Sequence, residues 1–225
     1  RFIDSVSNNK VFESYEMNID HQEIEFESLV NSSDSTLKEA DLILIFDYGH
    51  GLLTNRTVSL LSKYGRKVYV NAQSNAGNRG FNPISKYSGF KTMFMNGSEV
   101  SLEMRQKSID INSVGRELVK NLQAESIFVT NGSSGVTKIS SDGTAVNFPA
   151  FAPTIIDRTG AGDALMVTIA LLNGAGIDDD ISGYYGNLSG SVVISNIGNE
   201  KVIETDELIQ MSRDILRKAM GETAI

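Results

Sequence analysis

Cysteine is absent from these 225 residues. That excludes a disulfide framework and any thiolate metal site. No apolar run approaches the roughly 20 residues that cross a bilayer; the stretch from Ala164 to Leu172 is far too short. No secretory leader opens the chain, which begins at Arg1 rather than Met, so the natural start is expected upstream. Positive charge is scarce: 20 Lys and Arg against 28 Asp and Glu leave a net −8. That balance argues against broad contact with nucleic acid or an anionic membrane, and no nucleic-acid or membrane partner is expected. The strings G-x-x-x-x-G-K-[ST] and H-E-x-x-H and any EF-hand loop are missing, so P-loop, zincin and calcium-loop mechanisms have no support. Neither a repeat, a linker nor a low-complexity segment is visible. The sequons at Asn31 and Asn55 are set aside, because the chain reads as cytoplasmic.

What is present is an ordinary globular composition, 40% hydrophobic and 21% charged, long enough for one domain with a sizeable core. Leu42–Phe46 is a continuous apolar run of strand length, the mark of a strand buried on both faces. Helical spacing follows from Thr54 to Tyr64. Further strands are predicted at Lys67–Val70, Thr92–Met95 and Ser126–Thr130, with an amphipathic helix from Ile111 to Leu122. Gly135–Ile139 and Thr144–Phe148 read as a hairpin parted by Ser141-Asp142-Gly143. Helices are expected at about 160–175, 179–196 and 205–220. Alternating strands and helices imply an α/β fold with a mostly parallel sheet, helices on both faces and ligands beyond the strands' C-terminal ends. Near the start, Val11–Met17 alternates like a half-exposed strand, and Asn31–Ser35 reads as a loop into a short helix.

The most informative stretch is Asp157-Arg158-Thr159-Gly160-Ala161-Gly162-Asp163, with an apolar helical run directly after it. Two glycines and an alanine leave backbone N–H groups uncovered where a helix begins, a place that attracts phosphate. Asp163 then stands where a carboxylate can take a proton from an attacking hydroxyl. A tight turn with a capping aspartate has the same local pattern.

This string resembles the D-T-x-G-A-G-D signature of the ribokinase (PfkB-type) carbohydrate kinases, with Arg158 where a small residue is usual. The resemblance implies a ribokinase-like three-layer α/β/α fold, an ATP-dependent sugar or sugar-phosphate kinase using Mg2+, Asp163 as catalytic base and Gly160, Ala161 and Gly162 as anion hole. Other loops follow the family's order. Asp47-Tyr48-Gly49-His50-Gly51 resembles the D-Y-G-K-G segment of the heptose-phosphate kinases, the kinase half of bifunctional ADP-heptose synthases. By that likeness Asp47 and Gly49 touch the substrate; otherwise Asp47 caps the turn, and His50 in a polar loop reads as surface. Asn96-Gly97-Ser98-Glu99 matches N-x-x-E, which implies that Glu99, with Asn96, holds magnesium through water. Asn followed three residues later by Glu is also a capping box, and both can hold. Thr130-Asn131-Gly132-Ser133-Ser134-Gly135 resembles the T-x-G-x-x-G nucleotide loop, assigning Thr130, Gly132 and Gly135 to ATP. Asn187 falls where the family flanks the adenine pocket, although a helix asparagine also serves packing. Asp178-Asp179-Asp180 reads as a helix cap, not a metal site.

Two departures stand out. No glycine-pair sugar segment precedes these motifs, so residues 1–30 are expected to be part of a β lid and residues 31–225 an α/β domain truncated at its N-terminus. Lid strands in this family pair between subunits, which implies a possible homodimer. Asn71-Ala72-Gln73 stands where the heptose kinases carry Asp-Pro-Lys, removing two charged groups that would hold an anionic substrate, with Arg79 nearby as a candidate to compensate. A kinase-like module that binds sugar or nucleotide without turnover is the alternative. No H-x-G-H-like motif supports a fused nucleotidyltransferase.

Overall fold

Successive residues of a strand point to opposite faces, so a strand buried on both sides feeds two cores at once. The computed structural model, which describes residues 2–4, 10–12, 14, 19–75, 77–107, 109–152, 155–196 and 202–221, shows this division throughout. Six strands form one sheet in sequence order: β3 (Ile43–Asp47), β4 (Val68–Ala72), β5 (Thr92–Asn96), β6 (Ser126–Thr130), β7 (Val136–Ser140) and β8 (Ala145–Phe148). The first four are parallel, and the hairpin β7–β8 adds antiparallel. Ile43, Ile45, Val68, Val70, Met93, Met95, Ile127 and Val129 enter one core. Tyr69, Phe94 and Phe128 enter the other, with Leu42, Leu44 and Phe46 packed against it.

The first core is roofed by α3 (Asn55–Leu61), α4 (Gly97–Glu103) and α5 (Ile111–Leu122), through Val58, Leu61, Val100, Leu118, Val119 and Leu122. The second lies under α6 (Ala161–Gly174), through Leu165, Met166, Ile169 and Ala170. Beside α6 on the same face lies α7 (Asp179–Ile194), which adds Tyr184 to that core, and α8 (Thr205–Ala219) packs against α7. Three layers result, as expected of a ribokinase-like α/β fold. The predicted strands and helices from Leu42 onward end within a residue or two of the observed ones, except that α3 stops at Leu61 and continues as a 3-10 turn to Lys67. Asp178 caps α7 by accepting the Asp180 N–H at 2.8 Å, as its position suggested.

The N-terminal stretch differs from expectation. A short antiparallel ribbon pairs β1 (Phe2–Ile3) with β2 (Lys10–Phe12), and Phe2 stacks on Phe12. Glu13 and Tyr15–Met17 of the expected strand lie outside the described residues. From Ile19 the chain is helical: α1 (Ile19–Ser32) and, after Ser33, α2 (Asp34–Glu39). The anticipated loop at Asn31–Ser35 therefore shrinks to Ser33, and residues 19–30 are helix where lid strand was expected. Phe26 and Val30, one helical turn apart, pack on the first core, and a tertiary contact at that spacing outweighs the polar, turn-like look of the sequence. Asp34 then anchors α2, accepting Lys38 at 2.6 Å and the Tyr64 hydroxyl at 2.5 Å.

Candidate active site

Parallel strands β3 to β6 all end at one edge of the sheet, and α6 starts above that edge. Between them lies a cleft of about 1070 Å³. Asn96 and Glu99 line it after β5, Thr130, Gly132 and Gly135 after β6, Gly160 to Asp163 at α6, and Asn187 from α7. Loops separated by more than 90 residues of sequence thus converge on one space, which their order alone had suggested.

Asp163 sits in the first turn of α6 with its carboxylate held on both oxygens. Its Oδ1 accepts the side-chain amides of Asn71 and Gln73, each at 2.8 Å, and its Oδ2 accepts the Tyr48 hydroxyl at 3.0 Å. Burial pushes the Asp163 carboxyl above its ordinary value, and the three hydrogen bonds pull back against it. Burial, then the Asp163 charge, pushes the Tyr48 phenol up to about 12, so it stays a donor. Ahead of Asp163 the helix has no side-chain cap. Gly160 holds φ +83°, a left-handed conformation that glycine adopts without strain, and so turns the backbone into the helix beside the cleft. An uncapped helix start thus borders the cleft, a kind of place that attracts anions.

The other loops are built as firmly. Asn96 and Glu99 form a capping box: Asn96 Oδ1 accepts the Glu99 N–H at 3.0 Å, and Glu99 Oε2 accepts the Asn96 N–H at 2.7 Å. Glu99 Oε1 also accepts the Ser74 N–H at 2.8 Å, tying the end of β4 to the start of α4. Burial raises the Glu99 carboxyl pKa, against those backbone bonds. Asn187 is buried and donates to the Pro149 carbonyl at 2.7 Å, fixing the exit of β8 while still facing the cleft. Gly135 has φ +83°, and a Cβ there would lie 2.0 Å from the Phe148 carbonyl oxygen. Gly135→Ala is expected to lower stability by about 1–3 kcal/mol from backbone strain alone. Chemical denaturation would read this as a lower midpoint, and an unchanged midpoint would mean that the backbone at 135 relaxes out of the left-handed region and away from the Phe148 carbonyl.

Asp47 and Gly49, expected by likeness to touch the substrate, are not among the residues that line the cleft. Asp47 is 4% exposed. Its Oδ1 accepts the Gly49 N–H at 2.8 Å, and its Oδ2 accepts the Tyr87 hydroxyl at 2.8 Å and pairs with Lys86. The physical reason is phase. Asp47 follows Ile43 and Ile45 onto the first core's face, away from α6, whereas Tyr48 follows Leu44 and Phe46 to the α6 face. The cap reading of Asp47 describes its contacts. Arg79 is exposed and also outside the cleft lining, so it supplies no compensating cation there. His50, read as surface, lines the cleft with Arg158.

Tyr48, Asn71 and Gln73 are contacts of Asp163 that no motif in the sequence assigns. The signal that could have found them is again period two: Asn71 and Gln73 continue the phase of Tyr69, which faces α6.

Residues 57–206 match the model of the pfkB family carbohydrate kinases. The bifunctional protein HldE of Koribacter versatilis is 26% identical over 200 residues, 88% of this chain and 40% of that protein. HldE of Rhodopseudomonas palustris strain BisA53 is 28% identical over 200 residues, 86% and 39% respectively. The chain thus spans about two fifths of the length of these curated relatives. Among solved structures, phosphofructokinase-2 from Escherichia coli in complex with potassium superposes with a TM-score of 0.70 at 16% identity, over 87% of this chain and 63% of that one. Arabidopsis thaliana ribokinase complexed with ribose and ATP gives 0.66 at 14%, over 80% and 58%. Those likenesses show the ribokinase-like fold, and the matched family model shows the lineage: this chain belongs to the pfkB family of carbohydrate kinases.

Proposed function

We propose that this chain is a kinase domain that transfers a phosphoryl group from ATP to a hydroxyl of a sugar or sugar phosphate. The observation that carries this reading is the placement of Asp163 at the uncapped start of α6, in one cleft with the loops after β5 and β6. ATP bound here supplies the phosphoryl group, and magnesium neutralises charge on its phosphates. The cleft fits both. Gly132, where a Cβ would meet nothing within 4 Å, leaves space beside the backbone after β6. Each Glu99 oxygen already holds one backbone N–H, which suits a metal held through water better than a direct ligand.

Asp163 takes the proton of the acceptor hydroxyl as that oxygen bonds to phosphorus and the bond to the departing diphosphate breaks. N–H groups of Gly160, Ala161 and Gly162 stabilise the charge that builds on the transferring group. Thr130, Gly132, Gly135 and Asn187 hold the nucleotide, and Asn96 and Glu99 the metal's water. Asp47 and Gly49 shape the loop that delivers Tyr48. The β1–β2 ribbon belongs to a lid over the sugar, through which two copies pair. Heptose phosphate is not favoured over other acceptors, because neutral Asn71 and Gln73 replace a charged pair.

Titration calorimetry with ATP–magnesium, followed by ADP release across sugars and sugar phosphates, tests this on the full gene product. Acceptor-dependent ADP release is expected. Nucleotide binding without release for any acceptor favours the non-catalytic module, and no nucleotide binding removes the kinase reading.

A further inference from the structure

We propose that Asn71 and Gln73 are positioning residues which, with Tyr48, fill three of the four acceptor sites of the Asp163 carboxylate with neutral donors and leave one, on Oδ2, for the acceptor's proton. The inference rests on Asp163 being the base. A carboxylate offers about two acceptor sites per oxygen. Two N–H groups at 2.8 Å fill Oδ1, and one hydroxyl at 3.0 Å occupies half of Oδ2. The open site is therefore on the Tyr48 side of the carboxylate.

A further row of amides holds the donors. Asn75 and Asn78 donate to the Tyr48 carbonyl at 2.8 and 3.0 Å. Asn82 donates to the Gln73 carbonyl at 3.2 Å and to the Asp47 carbonyl at 3.3 Å. Asn78 and Asn82 are buried, at 9% and 6% exposure. The polar stretch after β4 thereby joins the ends of β3 and β4, so that Tyr48 and Gln73 meet Asp163 together.

Charge explains the residue types. Aspartate at position 71 would place a like charge where an amide now sits 2.8 Å from Oδ1, and lysine at 73 would pull the other way. Two amides hold the carboxylate in place with no charge of their own, and their donors oppose the upward push of burial. Besides Tyr48, the titratable and charged groups lining the cleft around Asp163 are His50 from the β3 loop, Glu99 from α4 and Arg158 before α6. Of the three side chains that bond the Asp163 carboxylate, Tyr48 alone is titratable.

The test is a carboxyl-carbon NMR titration of the full protein, with the Asp163 signal identified by its loss in Asp163→Asn. Gln73→Met, at a half-buried position, removes one donor and is expected to move the Asp163 midpoint up by about one pH unit or more. Asn71→Asp, nearly the same shape, is expected to move it up further. Wherever turnover is measurable, the acid limb of kcat/KM should move with the midpoint. A midpoint that stays put in both variants overturns the proposal, whether or not the protein turns over a sugar. A midpoint that moves while no acceptor is phosphorylated supports the clamp and removes the kinase reading instead.

Discussion

Asp163→Asn is expected to lower phosphoryl transfer by about 10² to 10⁴, the usual contribution of a positioned base. The same change should leave the protein at least as stable at neutral pH. Burial raises the Asp163 pKa in the folded state. A carboxyl that is harder to ionise when folded costs stability once it is charged. That cost is absent below the unfolded aspartate value of 3.8 and grows as pH rises from there through the folded pKa. Asparagine never carries it. Its oxygen can still accept from Asn71 and Gln73, and its NH2 can donate to the Tyr48 oxygen. Thermal melts across this range should therefore show the variant equal to or above the parent at neutral pH, with the gap closing in acid. Near-parent turnover in Asp163→Asn would falsify the proposed mechanism; a neutral-pH melting point well below the parent's would show that the charge supports the fold.

Asp47→Ala is expected to act on stability rather than on substrate. Lys86 is 13% exposed on its side chain, pairs with Asp47, and also donates to Asn82 Oδ1 at 2.6 Å and the Leu53 carbonyl at 3.0 Å. Removing one partner of a buried pair strands the other charge, at a typical cost of about 3–5 kcal/mol. Tyr87 loses its acceptor as well; burial, then the Asp47 charge, holds its phenol far above the ordinary value, so it remains a donor in need of a partner. Denaturant unfolding should show a loss that is a large share of the roughly 5–15 kcal/mol typical of a folded domain. A variant with parent stability and only a raised KM for the acceptor would return Asp47 to the substrate site.

The contacts of Asp47 show what a sequence motif can and cannot convey. Strands, helices and loop order were legible because buried parallel strands read as unbroken apolar runs and because α5 and α7 start at the capping residues Asp110 and Asp178. The partners of Asp163 were not matched by any motif, yet the phase of the strands contains them. Ile43, Ile45 and Asp47 share one face, and Leu44, Phe46 and Tyr48 the other. Which face looks toward α6 is a tertiary fact, settled only when Leu165 and Ile169 pack on Phe94 and Phe128, whose rings stack at 5.4 Å. Helix α1 escaped detection for a related reason: its polar, turn-like sequence conceals the contact that Phe26 and Val30 make with the first core. The Asn71-Ala72-Gln73 change was visible, but its meaning depended on the residue across the cleft.

Neutral donors around Asp163 have a consequence for ionic strength. An ion pair is weakened by mobile ions, which gather around exposed charge within a Debye length of about 8–10 Å. Amide and phenol dipoles attract no such atmosphere, and their bonds to Asp163 act at contact distance. The three bonds that hold the base are thereby set by the local fold, and they persist from dilute buffer to concentrated salt.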